Sequence, residues 1–276
     1  LILMENRQLE RAYEFSELSM AVSKKFHDVK RAGIFEYCHG VFFHSWRKSM
    51  ASNLPLLEHA FIACVDAGNF FWAGYCTFAI PWFTFDTGAK LDDVRRSIKK
   101  YLEFAQHTHN RVAVQMDTLL LQACSCLQGM TESETSFNDE HYNEQAALAL
   151  FEEAFYISGV CTHHILKQVV AVVFCQTQEA LQAAQAAAGL LHVVGATMLE
   201  STHVFFHGLA ASNAWFEATP AEQPALRLIA QECCRKLALW SDHCRENFTC
   251  RHALLSAELA RMEGRVAIAR FLARLK

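Results

Sequence analysis

Turn-forming residues are scarce in this chain. It has four prolines and eleven glycines in 276 residues, whereas a sandwich or barrel of short strands needs a turn signal about every 8–12 residues. That shortage excludes the all-β classes. No apolar run reaches the length of a membrane-spanning helix, and no basic stretch followed by an apolar one marks a secretory leader. An excess of one charge is lacking too. The net charge is -4 and the isoelectric point is near 6.4, so neither nucleic acid nor an anionic membrane is drawn to the chain. The longest basic cluster, RRSIKK at 95–100, reads as the wet face of a helix. Local signatures of nucleotide and acyl-transfer chemistry are missing as well. There is no G-x-x-x-x-G-K-[ST] loop, no G-x-G-x-x-G, no G-x-S-x-G elbow and no kinase catalytic loop. No cofactor is implied.

Cysteine is plentiful. The eleven thiols are odd in number and sit mostly in apolar surroundings such as FIACVDAG and LLLQACSCLQG. Free cysteine is among the most buried residue types, so reduced thiols in a cytoplasmic setting fit better than a disulfide framework. Ala, Leu, Gln, Glu, Arg and Lys fill long stretches with helical periodicity, and half of the chain is apolar, enough for a sizeable core. The expected class is all-α, about a dozen helices in antiparallel neighbouring pairs.

The first expected helix covers 5–26, with Leu9, Ala12, Tyr13, Leu18, Met20 and Ala21 on its apolar face. Gly33 precedes an aromatic-rich second helix carrying Tyr37, Phe42, Phe43 and Trp46. A third starts at a Ser52 or Asn53 cap, has Pro55 in its first turn and ends at Gly68. The fourth contains Pro81, which removes a backbone hydrogen bond and predicts a kink. Two more follow, LDDVRRSIKKYLEFAQHT and RVAVQMDTLLLQACSCLQG. Then the one polar break, 130–145, carries Thr131, Glu132, Ser133, Glu134, Thr135, Ser136, Asn138 and Asp139 with almost no apolar anchor and predicts a mobile internal loop. Beyond it, AALALFEEAFYISG, CTHHILKQVVAVVF, TQEALQAAQAAAGLL, MLESTHVFFHGLAASNAWF, PALRLIAQECCRKLALWSDH and HALLSAELARMEG read as further helices, and RVAIARFLARLK opens another.

Repeated helix pairs are the mark of an α-solenoid. Ala180, Ala184 and Ala187 share one helix face, where small side chains let a neighbour approach, and the expected neighbour carries Ile165, Val169 and Val173. Gly264 with Ala269 and Ala273 repeats the theme near the end. The resulting expectation is a right-handed α-solenoid of antiparallel helix pairs, divergent from the tetratricopeptide type and forming a single domain over 1–276.

Two constellations carry ligand chemistry. His243, Cys244, Cys250 and His252 are zinc-ligand types within SDHCRENFTCRH. Their spacing is not that of a finger or ribbon, and ordinary thiols at a helix end, turn and helix start account for them as well. His203 and His207 stand four apart on one helix face, without the glutamate a zincin needs. The vicinal Cys233 and Cys234 are poorly placed to bridge each other. Aromatic side chains crowd 70–85, with Phe70, Phe71, Trp72, Tyr75, Trp82, Phe83 and Phe85. Of these, Phe71, Trp72, Tyr75, Trp82 and Phe85 are the candidate interaction or ligand surface. The alternative is an aromatic seam between helix pairs. No basic residues interleave with the rings, which excludes a single-stranded nucleic-acid platform.

The ordered series RAYEFSELSMAVSKKF, FEYCHGVFFHSWR, LPLLEHAFIACVDAGNFFWAGYCTFAI, LDDVRRSIKKYLEFAQ and HALLSAELARMEGRVAIA resembles the tetratricopeptide-like helical region of large bacterial predicted ATPases and multi-domain sensor kinases. There, the region follows a STAND-type ATPase module, often with a Ser/Thr kinase ahead of it, and precedes GAF or PAS sensor and histidine-kinase modules. The repeat pattern is degenerate, and Asn69 stands where an acidic residue is frequent. The family's catalytic motifs lie in other domains, so the resemblance implies no catalytic residue here. It implies a segment of a larger cytoplasmic protein, a non-catalytic scaffold making protein–protein or interdomain contacts, with the upstream ATPase and downstream sensor or kinase modules as partners. The uncapped helical ends agree with that expectation. Two alternatives stand beside it: a small-molecule sensor with an aromatic-lined pocket, and a metal-dependent all-α enzyme.

Overall fold

The computed structural model describes residues 8–265. Its regular structure is entirely helical, with twelve α-helices and three short 3-10 turns among the described residues. The helices are α1 (Leu9–Lys25), α2 (Val29–Phe42), α3 (Leu54–Asp66), α4 (Phe70–Asp86), α5 (Leu91–His107), α6 (Arg111–Leu127), α7 (Glu144–Glu153), α8 (Ile157–Val173), α9 (Thr177–Leu190), α10 (Met198–Glu217), α11 (Gln223–His243) and α12 (Arg245–Met262). Sequence neighbours pack as pairs: α2 on α3, α3 on α4, α4 on α5, α5 on α6, α8 on α9, and α11 on α12. Among the described residues no helix is long and apolar enough to cross a membrane. Two compact units emerge. Among the described residues, one holds 8–156 with 196–198 and the other 157–195 with 199–265.

The helix ends in the first unit follow simple chemistry. Gly68, Gly88 and Gly129 adopt φ of +69°, +78° and +70°, the left-handed exit that only glycine takes without a Cβ penalty. Asn110 caps α6 by accepting from Ala113 N at 3.1 Å. Leu57, Ile98, Leu119 and Leu120 are fully buried. The 196–198 segment is held by Trp46, whose Nε1 donates to Ala196 O at 3.0 Å.

Several expectations need correcting in this unit. The expected first helix begins at Leu9 among the described residues, and 5–7 lie outside them. It buries Leu9, Ala12, Ser16 and Ser23. Leu18 lies outward, and so do Phe15, Val22 and Phe26. Gly33 does not precede α2 but sits inside it. A Cβ there would stand 2.8 Å from both Ala60 O and Cys64 N, so glycine marks a close helix approach, not a break. Trp46 falls in a 3-10 turn beyond α2. Asn53 flanks α3 but makes no capping bond; its Nδ2 donates to Gly40 O at 2.8 Å. The helix assignment of α4 runs unbroken through Pro81.

The polar break does form a loop, and it has anchors the composition hid. Phe137 is completely buried and Tyr142 nearly so. Asp139 accepts from His141 N and Tyr142 N at 2.7 and 2.8 Å and from Gln122 Nε2 at 2.8 Å. Asn138 and Glu144 close the loop reciprocally: Glu144 N donates to Asn138 Oδ1, and Phe137 N donates to Glu144 Oε2.

In the second unit the alanine face behaves as its spacing predicts. Ala180, Ala184 and Ala187 are at most 1% exposed, against α8. Ile165 and Val169 are buried on α8, whereas Val173 is 54% exposed and does not belong to that seam. Ala211, Ala214, Leu226, Ala230 and Met262 form a further core cluster joining α10, α11 and α12. Two boundaries shift. The break near Gly159 falls instead at Phe155, whose φ is +52°, and Gly159 is buried inside α8. The last helix starts at Arg245, seven residues before His252. Gly264 ends it with φ of +71°, and Ala269 and Ala273 lie outside the described residues.

Candidate functional site

Among the described residues, four places hold chemistry. The first is the aromatic edge of α4. Phe71, Trp72 and Tyr75 form a contiguous set, with ring centroids 6.1 Å apart for Phe71–Trp72, 5.1 Å for Phe71–Tyr75 and 5.6 Å for Trp72–Tyr75. Tyr37 on α2 extends the set to Trp72 and Tyr75. Phe71 is 63% exposed, while Trp72 and Tyr75 are half-buried. Trp82 and Phe85 stack on each other at 5.9 Å, three turns along the same helix. Trp82 is buried and its Nε1 lacks a hydrogen-bond acceptor. Of the five aromatic candidates, then, Phe71 is exposed, Trp72, Tyr75 and Phe85 are half-buried, and Trp82 alone is buried.

The second place is a cleft of about 820 Å³ where the α5–α6 turn faces α7, lined by Gln106, His109, Arg111, Gln115, Leu150 and Glu153 among others. None of the five aromatic candidates lines it.

A chain of four polar side chains links α1, α2 and the 3-10 turns. Ser16 Oγ lies 2.9 Å from His39 Nδ1, His39 Nε2 lies 3.4 Å from His44 Nδ1, and His44 Nε2 lies 2.9 Å from Ser52 Oγ. Tyr13 stacks beside His39, and the charge of Glu17 reaches both imidazoles. Burial lowers both histidines, and His44 falls to about 4, so both rings are neutral near pH 7. The Ser–His contact does not make an acyl-transfer site. Ser16 is in mid-helix, where backbone N–H groups are already bonded and none is free to hold an oxyanion.

The fourth place is a buried polar group in the second unit. Gln168 donates through Nε2 to His203 O at 3.0 Å, and its Oε1 meets His203 Nδ1 at 2.9 Å. His207 stacks on His203 at 5.0 Å, and its Nε2 is buried without a hydrogen bond. Burial and then the Lys236 charge lower His207 to about 4. Burial, His207 and Lys236 together bring His203 to about 3. Arg251 reaches the same helix, donating to Ser201 Oγ at 3.1 Å.

His243, Cys244, Cys250 and His252 do not converge as placed. Cys250 and His252 both lie on α12, and two helical residues apart means a rotation of about 200°, onto opposite faces. Cys244 is buried, Cys250 exposed, and His243 and His252 half-buried. Among the described residues no three His, Cys, Asp or Glu side chains stand together as a metal site. Cys233 is buried and Cys234 half-buried, its Sγ 3.3 Å from Ser256 Oγ.

Sequence reasoning missed the Ser16–His39–His44–Ser52 chain and the buried Asp117. The residues of the chain fall on four local elements, so no single period reveals them. Only the two histidines of FEYCHGVFFHSWR, separated by the end of α2, hinted that one could fold back onto the other. Asp117 is fully buried on α6, and desolvation pushes its carboxyl up to about 8, with Thr77 opposing the shift.

No protein-family model, no curated protein and no solved structure matches this chain.

Proposed function

We propose that this chain is a non-catalytic helical-repeat scaffold that makes protein–protein or interdomain contacts in a signal-transduction ATPase or kinase. In this reading the helix pairs stack as a divergent, right-handed tetratricopeptide-like solenoid, and the partner is a neighbouring ATPase, sensor or kinase module. The observation that carries it is the aromatic edge of α4. Phe70 and Phe71 are 48% and 63% exposed beside Trp72 and Tyr75. Aromatic rings of this kind anchor protein interfaces, because they bury large area at small entropic cost. The neighbour-on-neighbour packing of the pairs supports the repeat reading.

The test joins binding to turnover. Expressed beside the ATPase and sensor modules that the resemblance implies, the chain should show hydrogen-exchange protection over 70–75 when those modules are present. Phe71→Asp should abolish that protection without lowering the melting temperature, since the ring is mostly solvated already. The isolated chain should not hydrolyse ATP. Protection that ignores Phe71→Asp, or ATP turnover by the chain alone, overturns the proposal.

A further inference from the structure

We propose that the outward face of α1 is a docking surface for a second copy of this chain, and that two copies pair through it as an antiparallel, two-fold dimer. The surface lies apart from the aromatic edge of α4 and does not depend on the scaffold reading.

The sequence of α1 carries two apolar faces. Leu9, Ala12, Ser16 and Ser23 form the buried one. Phe15, Leu18, Val22 and Phe26 recur at the three- and four-residue spacing of another. At 3.6 residues per turn these four fall within about 80° of one another, roughly 120° from the buried face. Phe15 is 57% exposed and Phe26 72%; Leu18, Val22 and the following Val29 are exposed as well. Together the five side chains present roughly 500 Å² of apolar surface, near the largest patch of an ordinary monomer. A helix that packs by one face and leaves a second apolar stripe in water is shaped for another neighbour.

The stripe is complementary to itself. A groove of about 210 Å³ lies between α1 and α2, lined by Phe15, Ser19, Phe35, Cys38 and Phe43 among others. That is larger than the roughly 150 Å³ cavity known to admit benzene. Phe26 stands at the other end of the stripe, on the groove's side of the helix. A two-fold axis beside residue 20 sets Phe15 against Phe26 of the second copy and Leu18 against its Val22. Each Phe26 ring then enters the groove of the other copy, the reciprocal contact of an isologous interface.

Charge obeys the same symmetry. Glu14 and Lys25 stand on one edge of the stripe, about 20° apart around the helix. Glu14 is exposed, and among the described residues its side chain makes no hydrogen bond or ion pair. The Lys25 ammonium stands 5.9 Å over the Phe26 ring, at the rim of the projecting side chain. The antiparallel register places each Glu14 across from Lys25 of the other copy and opposes the two helix macrodipoles favourably. Parallel pairing would place Glu14 beside Glu14 and Lys25 beside Lys25, so charge selects the antiparallel arrangement. The two copies together bury roughly 1,000 Å², at the low end for a specific interface, so the dimer forms with concentration and dissociates on dilution.

The experiment uses the full 276-residue chain in sedimentation velocity over a concentration series, with hydrogen exchange read at both ends of it. The wild-type chain should pass from 31.2 kDa to twice that mass, and amide protection over 15–29 should rise in step. Leu18→Asp and Phe26→Asp should each hold the chain monomeric, with the melting temperature at the lowest concentration unchanged, because both side chains are already solvated. Glu14→Lys and Lys25→Glu should each weaken self-association by about tenfold or more. An equimolar mixture of those two variants should associate as tightly as the wild type, since every mixed contact again joins opposite charges. Phe71→Asp should leave association unchanged. The proposal is overturned if the chain stays monomeric up to roughly 1 mM, or if a dimer survives both Leu18→Asp and Phe26→Asp. It is equally overturned if the mixture associates no more tightly than its components, or if Phe71→Asp abolishes the dimer, which would place the contact on α4.

Discussion

Both units bring helices together over glycine, Gly208 against Leu255 in the second among them, but the second adds a continuous stripe of alanine. In the first, Gly33, Gly40 and Gly74 sit where a Cβ would stand under 3 Å from a neighbour, among them Ala60 O, Asn53 Oδ1 and Asn110 Nδ2. In the second, Ala180, Ala184 and Ala187 form a continuous stripe with α8 packed against it. The buried ionisable groups differ too. Both units bury lowered histidines, His39 and His44 in the first and His203 and His207 in the second, but the raised acid Asp117 belongs to the first.

The largest effects test whether the two cores are separable. Phe137 and Phe248 are both completely buried, one in each unit. Truncation of either to alanine should cost about 3–5 kcal/mol. Phe137→Ala should release amide protection mainly over 111–156, and Phe248→Ala mainly over 223–262, as read by hydrogen exchange. Uniform loss of protection along the whole chain in either variant would dissolve the comparison. Phe137→Ala should also open the 130–143 loop to protease, because that ring is its anchor.

Next come the close approaches. Gly33→Ala forces a Cβ against backbone atoms of α3, and Ala184→Leu overfills the stripe. Each should destabilise by about 1–3 kcal/mol. Gln182→Leu, on the exposed side of α9, should stay within about 0.5 kcal/mol. Denaturant midpoints measure all three. Equal tolerance of Ala184→Leu and Gln182→Leu would remove the packing role of the stripe.

The pH responses should run in opposite directions. Asp117 moves from an ordinary 3.8 to about 8. Its contribution is complete below pH 3.8 and is lost as pH rises through about 8. Asp117→Asn should therefore flatten stability between about pH 7 and 8, the part of its window clear of the histidines. His203 and His207 move from 6.5 to about 3 and 4. Their contribution is complete above pH 6.5 and is lost as pH falls toward 4 and below. His207→Gln should blunt acid loss of protection in 199–262 and leave the alkaline limb alone. His39 and His44 add an acid-side loss in the first unit, so only the alkaline limb separates the two units cleanly.

The smallest effect is at the surface. Arg96 pairs with Asp93 at 2.8 Å, with side chains 76% and 48% exposed. Arg96→Ala should change the midpoint by no more than about 1 kcal/mol, because solvent and salt screen exposed pairs.

The sequence alone determined the helical class, because a shortage of turn residues and a persistent helical period are local properties of the chain. It placed α5, α6 and α9 closely and found the alanine face, since a stripe of small residues is visible as spacing. Three features required the tertiary structure. Gly33 and Gly159 look like breaks in a linear reading, yet each lies inside a helix, because what they answer to is a neighbour's backbone or a buried face. The turns at His27, His109, Phe155 and Cys175 have positive φ without glycine, so the usual signal was absent. The Ser16–His39–His44–Ser52 chain and the burial of Asp117 arise only when separate elements meet. Composition specifies which side chains are present, but distance and desolvation between distant parts of a chain are set by packing.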